Sequence, residues 1–413
     1  MRGFRPGRRE ADADADQLRR LLVETARLER LQATLLDNIV EGVLLQDPSG
    51  RVMASNPAAR RILGLSAERL HGQQLNRLRS ALHSDGGSWS TDERPTRSTV
   101  RTATGVRGQV VGIHLDDGEL RWLSVNTDPV THPSGEVEYV VSSIRDVTEQ
   151  HAAALVERQA ARERTRRVRQ VLEDGGPRVV VQPIVELATG RTVGVEALAR
   201  FPGQFGHPPD VWFADAAAVG LGVQLELAAV ERALATLDRL PPDVYLSVNA
   251  TPAAIGSPEL VELLTAAPAE RLVLEMTEHD PVADYGRLTE PLGRLRRAGV
   301  RLAVDDAGSG FASLQHILEL APDVIKLDRA LVRDVDTDPA RASLAVSLVL
   351  FADRIGADLV AEGIESESER AALEGVGVRY GQGFHLGPPA PGAAFEERAG
   401  AAVRTREAGR SGR

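Results

Sequence analysis

Beyond Pro177 the chain repeats one pattern: a short apolar run followed by a segment long enough to be a helix. The runs are VVVQPI (179–184), VGVEAL (193–198), VYLSVN, RLVLEM, RLAVDD, DVIKL, DLVAEG and a last one around VRYGQGF, with amphipathic segments such as 224–239, 283–298 and 339–355 between them. Short buried strands alternating with helices build a parallel sheet covered by helices, and eight of them in about 220 residues match the size of a closed βα barrel. The stretch from Ile184 to Val193 is too short for a crossover helix and carries Thr189-Gly190, so the first two strands are expected to be antiparallel neighbours.

The rest of the 413 residues follows a different grammar, and the length calls for more than one core. From 40 to 148 the apolar residues alternate, with Asp47-Pro48-Ser49-Gly50, Asp116-Asp117-Gly118 and His132-Pro133-Ser134-Gly135 between the runs, which predicts an antiparallel sheet with a short helical middle starting near Pro57. Leu21, Leu28 and Leu35 stand seven apart, with Leu18 just before them, and predict a helix able to pair with a second copy of itself. Residues 149–174 are charged and free of Gly and Pro, with Val147, Ala154, Ala161 and Val168 spaced by seven. They read as a connecting helix, either a coiled-coil transmitter or a spacer, ended by Gly175-Gly176-Pro177. The expected division is therefore a helix over 1–36, a sheet domain over 37–148, a helical linker over 149–176, a barrel over 177–395 and a disordered Gly/Arg-rich tail over 396–413.

Composition narrows the chemistry. With 59 acidic residues against 49 basic ones and a net charge of −10, a broad electrostatic grip on a nucleic-acid polymer or an anionic membrane is not expected. The absence of cysteine removes disulfides, zinc ribbons, iron–sulfur sites and thiol nucleophiles. The longest apolar run, Leu344 to Ala352, is far short of a membrane span, and the basic opening MRGFRPGRRE has no apolar region behind it, so a cytoplasmic protein is the expectation. All the basic residues are Arg except Lys326. A chain this biased against Lys is expected to keep one where a compact ammonium does what a planar guanidinium cannot.

The ends of the barrel runs carry Glu196, Asn249, Glu275, Asp305 with Asp306, Lys326, Glu362 and Gln382. Catalytic groups of such barrels project from the carboxyl ends of the strands. A single acid there is often only a helix cap, but five carboxylates crowded at one mouth repel one another unless cations neutralise them. The donors are all oxygen, with no Cys or His, which suits the hard cations Mg²⁺ or Mn²⁺ and not zinc. Asp305 and Asp306 stand where strand alternation breaks down into the Gly308/Gly310 loop, and are expected to serve two ions about 3.5–4 Å apart. Lys326 would then orient an attacking water, and Glu362 would accept a proton or hold that Lys. These residues point to a metal-dependent hydrolase acting on a phosphate ester.

The runs VVVQPIVELATG, VGVEALAR, LSVNATP, LVLEMTEHD, LAVDDAGSGFASL, DVIKLDRALV, LVAEGIESESE and YGQGFHLGPP resemble, in order, the motifs of EAL-domain cyclic di-GMP phosphodiesterases, with Glu196-Ala197-Leu198 at the name motif. The resemblance implies a TIM-like (βα)8 barrel with an antiparallel first hairpin, two Mg²⁺ or Mn²⁺ ions, and hydrolysis of cyclic di-GMP to linear pGpG. It implies Glu196, Asn249, Glu275 and Asp305 as ligands of one ion and Asp305 and Asp306 as ligands of the second. It further implies Lys326 and Glu362 as the water-activating pair, Gln182 and Arg200 as substrate contacts, Glu278 as the anchor of the loop after Asp306, and Gln382 as the last member of the ring. Two positions depart from the family pattern: Ala307 stands where Phe is usual, and Ala217 where Glu is common. Ala307 keeps a second reading open, a catalytically weak barrel that acts as a cyclic di-GMP receptor.

The segment LLDNIVEGVLLQDPSGRVMASNPAARRILGLSAERLHGQ, with the RDVTE exit into a helix, resembles an α+β PAS sensor domain. That resemblance implies a small-molecule, light or redox input, or dimerisation alone, and with the helical linker it implies a homodimer. The missing cysteine excludes a flavin–cysteine adduct, and His71, His83 and His114 read as surface or turn residues rather than haem ligands. The PAS ligand is left open.

Overall fold

The computed structural model describes residues 23–393 apart from 29, 32, 76–80, 85–86, 91, 204–205, 278–283 and 308–316. Its contacts divide the chain into two units, Met1–Gln159 and Ala160–Arg413. The expectations for Leu18 and Leu21, for Glu278, for Gly308 and Gly310 and for the tail 396–413 lie outside the described residues.

In the first unit, the described residues between 23 and 38 are helical, with Leu28 and Leu35 exposed. Strands β1 (Gly42–Gln46) and β2 (Val52–Ser55) follow, joined by the Asp47–Gly50 turn. There the Asp47 carboxylate accepts from Ser49 Oγ and the Arg51 N–H, and Gly50 takes φ +83°, a region glycine enters without a Cβ penalty. Helix α1 (Pro57–Leu63) starts at Asn56, whose side-chain oxygen accepts from Ala59 N. Strand β3 (Ala81–Leu82), helix α2 (Pro95–Thr102) and the long strands β4 (Val106–His114), β5 (Leu120–Thr131) and β6 (Val137–Asp146) complete an antiparallel sheet in the order β2-β1-β6-β5-β4-β3. One face of it buries Leu44, Ile113, Leu123 and Ile144 against Ala59 and Leu63 of α1. Both later hairpins turn at the Asp-Gly and Pro-Ser-Gly sites that the alternation marks.

Helix α3 (Thr148–Glu173) runs from that sheet into the second unit. Its last turns are not a free connector. Val168 and Val171 are buried with Trp212, Ala216 and Leu225, and Arg164 and Arg167 pair with Asp215 at 3.1 and 2.6 Å. Val168 of the seven-residue stripe is thereby committed to packing within its own chain, so a coiled-coil seam cannot extend that far.

The second unit is a closed eight-stranded barrel. Strands β7 (Arg178–Glu186) and β8 (Arg191–Arg200) form the expected antiparallel hairpin, followed by α4 (Pro209–Ala218), α5 (Gly222–Leu234), β9 (Tyr245–Asn249), α6 (Pro258–Ala266), β10 (Leu272–Thr277), α7 (Gly286–Ala298), β11 (Arg301–Ala307), β12 (Val324–Leu327), α8 (Pro339–Ile355), β13 (Asp358–Ala361), α9 (Glu367–Gly375) and β14 (Tyr380–Gly381). The reversed strand is β7, antiparallel to both β8 and β14, while the other neighbours are parallel. Outward-facing apolar residues pack under the helices, and a small inner cluster of Ile184, Val273, Ala303, Val324 and Val360 plugs the barrel. No helix among the described residues is long and apolar enough to cross a membrane.

Candidate active site

Side chains two residues apart on a strand share a face, so the inner plug dictates what stands above it. Two positions on from Val273, Ala303, Val324 and Val360 come Glu275, Asp305, Lys326 and Glu362. On reversed β7 the order inverts, and Gln182 precedes Ile184. The alternating pattern therefore builds an apolar floor with a polar layer on it, and that floor shuts water out from below. Gly194 underlies Glu196 in the same way: a Cβ there would fall about 2.3 Å from the Tyr245 ring, so the ring fills the space in the floor that a side chain would take.

Lys326 is the hub of this layer. Its ammonium, 1% exposed, lies 2.6 Å from Glu362 Oε1, 2.8 Å from Glu275 Oε2, 3.3 Å from Glu196 Oε2 and 3.4 Å from Asp305 Oδ1. Glu196 also accepts from Asn249 Nδ2 at 3.0 Å and from Gln382 Nε2 at 2.6 Å. Gln382 donates in addition to Gln182 Oε1, and Gln182 donates to the Gly387 carbonyl. Ladder register puts the members abreast, with Gln182 opposite Glu196 and Asn249 beside Glu275. Glu196 is not at a strand end, as the sequence pattern suggests, but mid-strand: β8 continues to Arg200 along the reversed strand.

Asp305 and Asp306 are neighbours, and on a regular strand they would face opposite ways. A bulge removes that restriction. Val304 pairs with Ile325 and Ala307 with Leu327, so β11 carries one residue more than β12 across this step, and Asp306 takes φ +58°, a left-handed conformation that Asp tolerates better than most residues. Carboxylate oxygens of Asp305, Asp306 and Glu362 then lie within 4.8 Å of one another, as do those of Glu196, Glu275 and Asp305. Asp305 belongs to both groups, the arrangement of a ligand shared between two cations. Glu362, read from sequence as a proton acceptor, stands where it can also be a ligand.

The electrostatics follow from burial. Burial pushes the Glu275 carboxyl up to about 8, with Glu196 and Asp305 adding to the rise against the pull of Lys326. Burial likewise holds Glu362 well above the usual carboxylate range. For Glu196 burial acts in the same direction, but Lys326 and the amide donors of Gln382 and Asn249 outweigh it and leave the group lowered. Burial opposes the charge on Lys326, and the four carboxylates around it overcome that and raise the group well above the normal lysine range. Five carboxylates share this mouth with a single ammonium and retain a surplus of negative charge, and all-oxygen donors in two clusters sharing one member fit hard divalent cations.

Arg200 does not join the layer. It is exposed at the end of β8, where it and Asn249 border a cavity of about 360 Å³. A larger cavity, about 860 Å³, opens beside Asn249 and Thr251 and is lined by Phe213, Ala217 and Glu226. Ala307 is buried in the outer core. Glu278 lies outside the described residues.

Two residues of the site are not singled out by the strand ends. Ser247, fully buried, donates its hydroxyl to Glu275 Oε1. Its signal in the sequence is a lone polar residue inside YLSVN, on the same face as Asn249. Glu226 of α5 accepts from both the N–H and the hydroxyl of Thr251, fixing the turn after Asn249. Only its acidity at a buried helical position marks it. Ser247→Ala removes a donor to a buried carboxylate and is expected to cost about 1–3 kcal/mol. Denaturant unfolding with and without Mn²⁺ measures this, and an unchanged midpoint in both would show that the hydroxyl does not support Glu275.

The EAL domain profile matches residues 165–389, more than half of the chain. The chain belongs to the EAL domain family. Residues 30–147, ahead of the EAL domain, match the PAS fold. Among curated relatives, the cyclic di-GMP phosphodiesterase RocR of Pseudomonas aeruginosa is 32% identical over 231 residues, 53% of this chain and 59% of RocR. The probable cyclic di-GMP phosphodiesterase PdeB of Escherichia coli is 30% identical over 229 residues, 53% of this chain and 43% of PdeB. The chain thus spans less than two thirds of either relative. Among solved structures, the EAL domain of FimX from Xanthomonas citri, in complex with c-diGMP, has a TM-score of 0.51 at 22% identity, covering 57% of this chain and 96% of that one, and shares the barrel fold.

Proposed function

We propose that the barrel is a cyclic di-GMP phosphodiesterase that opens one phosphodiester to give linear pGpG, under control of the PAS domain. The observation that carries this reading is the layer itself: Glu196, Glu275, Asp305, Asp306 and Glu362 converge at one mouth, with Asp305 common to two ligand groups. The substrate assignment is supported by the names of RocR and PdeB.

In this reading Glu196, Asn249, Glu275 and Asp305 would hold one Mg²⁺ or Mn²⁺, and Asp305 and Asp306, with Glu362 in reach, a second. Two such ions supply positive charge to the phosphodiester oxygens and acidify a water. The protein does the remaining work. Lys326, held rigid by its carboxylates, points a compact ammonium at the attacking water and at the charge that develops on phosphorus-bound oxygen. Glu362, hydrogen-bonded to that ammonium, takes up a proton. Gln382, Gln182 and Asn249 lock Glu196, so no ligand has to reorganise during the reaction. Gln182 and Arg200 contact the substrate, with Arg200 at the rim where a phosphate or guanine edge arrives. Glu278 anchors the loop after Asp306. A cytoplasmic homodimer formed through the PAS domain and helices completes the proposal.

The test incubates the full chain with cyclic di-GMP and either Mg²⁺ or Mn²⁺ and follows pGpG by chromatography. The expected result is metal-dependent pGpG formation, stopped by EDTA. Tight cyclic di-GMP binding with no product under any metal condition would overturn the enzymatic reading in favour of a receptor.

A further inference from the structure

The PAS unit contains a cavity of its own. A cavity of about 120 Å³ lies between the sheet and α2, with Leu44, Leu63, Val111, Leu123 and Ile144 forming its apolar wall. Its polar end is built differently. Gln46 bonds through both ends of its amide there, its carbonyl accepting from Thr96 and Ser142 and its NH₂ donating once, to the Gly50 carbonyl. Arg94 and Arg97 line the same cavity at the start of α2. The Nε of Arg97 is buried, and no hydrogen-bond partner reaches it among the described residues. Helix α2 has no side-chain cap and no acidic residue in its first turn, the nearest acids in sequence being Asp92 and Glu93 just ahead of it.

We propose that this cavity binds a small organic anion: a compact apolar body carrying a single carboxylate, the body against the aliphatic wall and the carboxylate on Arg97 with Arg94 and the α2 N-terminus beside it. The size sets the class. A dry apolar cavity of ~150 Å³ takes one benzene ring, so the space fits a body of about six carbons, and a flavin or haem ring system does not enter it. Among the described residues, no histidine lines the wall to ligate a haem iron. The charge sets the head group. A buried guanidinium N–H without a partner keeps its full desolvation penalty, and a carboxylate relieves it with charge-assisted bonds that a neutral head group does not match.

Calorimetric titration of the full chain with benzoate, with its neutral isostere benzamide and with sulfate at matched ionic strength tests the assignment. The expected result is one benzoate site per chain, at least about tenfold tighter than benzamide, and not displaced by sulfate, which lacks the apolar body. Arg97→Gln is expected to abolish the preference for benzoate, and Ala81→Leu, which fills the cavity from the β3 side, to weaken both aromatic ligands together. No benzoate binding by the folded wild-type chain, equal affinity for benzoate and benzamide, full displacement by sulfate, or an unchanged preference in Arg97→Gln would each overturn it.

Discussion

Lys326→Arg is expected to lower the proposed cyclic di-GMP hydrolysis by at least about 100-fold while conserving formal charge. The reason is geometric. Four carboxylates surround the ammonium at 2.6 to 3.4 Å, and the side chain is only 1% exposed, so no free volume receives a planar fork. A guanidinium spreads the charge over three nitrogens, forces the ligand carboxylates apart, and takes the place of the water it should orient. Lys326→Met separates charge from shape. Without metal it leaves the carboxylates facing one another in a buried site, and a loss of about 3–5 kcal/mol of stability is expected. Added Mn²⁺ should return a large part of that loss, because the ions take over the neutralisation. Turnover near the wild-type rate in the Arg variant, or a Met variant whose stability ignores both the loss and the metal, would show that the solitary lysine has no special task.

Much of this site is legible in the sequence because strand alternation is a strong constraint. Once Val273, Ala303, Val324 and Val360 are buried at the barrel centre, Glu275, Asp305, Lys326 and Glu362 have no other direction to point. The antiparallel first hairpin follows from loop length alone. What alternation cannot supply is any event that breaks it. The bulge at Asp305–Asp306 depends on how β11 registers against β12, a long-range pairing that no local pattern specifies. The mid-strand place of Glu196 depends on how far β8 runs along β7, which is again a matter of partner length. Ser247 and Glu226 are silent for another reason: each is one polar residue in an apolar context, and only the identity of the group it meets gives it a role. The linker shows the opposite failure. The stripe spaced by seven from Val147 to Val168 allows either a coiled-coil seam or a spacer, yet Trp212 takes the last position of that stripe for the barrel.

The bulge also bears on the Ala at position 307. Because the extra residue is Asp305 or Asp306, the chain is back in register at Ala307, which faces the outer core and is 3% exposed. Both acids that define the two ligand groups precede this point, so the substitution of Ala for Phe leaves the carboxylate geometry intact. That separates ligand placement from the loop that follows, and it is why the enzymatic reading is preferred over a receptor.

Glu196→Gln is the second variant expected to silence the barrel, with turnover falling at least about 10³-fold. The glutamine has the shape of the glutamate but not its charge. The two Glu196 oxygens are taken, Oε1 by the Asn249 amide and Oε2 by Gln382 with Lys326 near it, so a glutamine NH₂ meets a donor whichever way it turns. Facing Asn249 is the cheaper choice, since that amide can rotate to accept, whereas rotating Gln382 would disturb Gln182 and in turn its bond to Gly387. The variant therefore folds, and its thermal midpoint without metal stays within a few degrees of wild type. The difference appears on adding Mn²⁺: the rise in midpoint that the wild type shows should be absent at the same concentration, because a ligand charge is gone from the group that includes Glu275 and Asp305. If Glu196→Gln keeps the full Mn²⁺-induced rise and still forms pGpG at the wild-type rate, Glu196 is not a ligand.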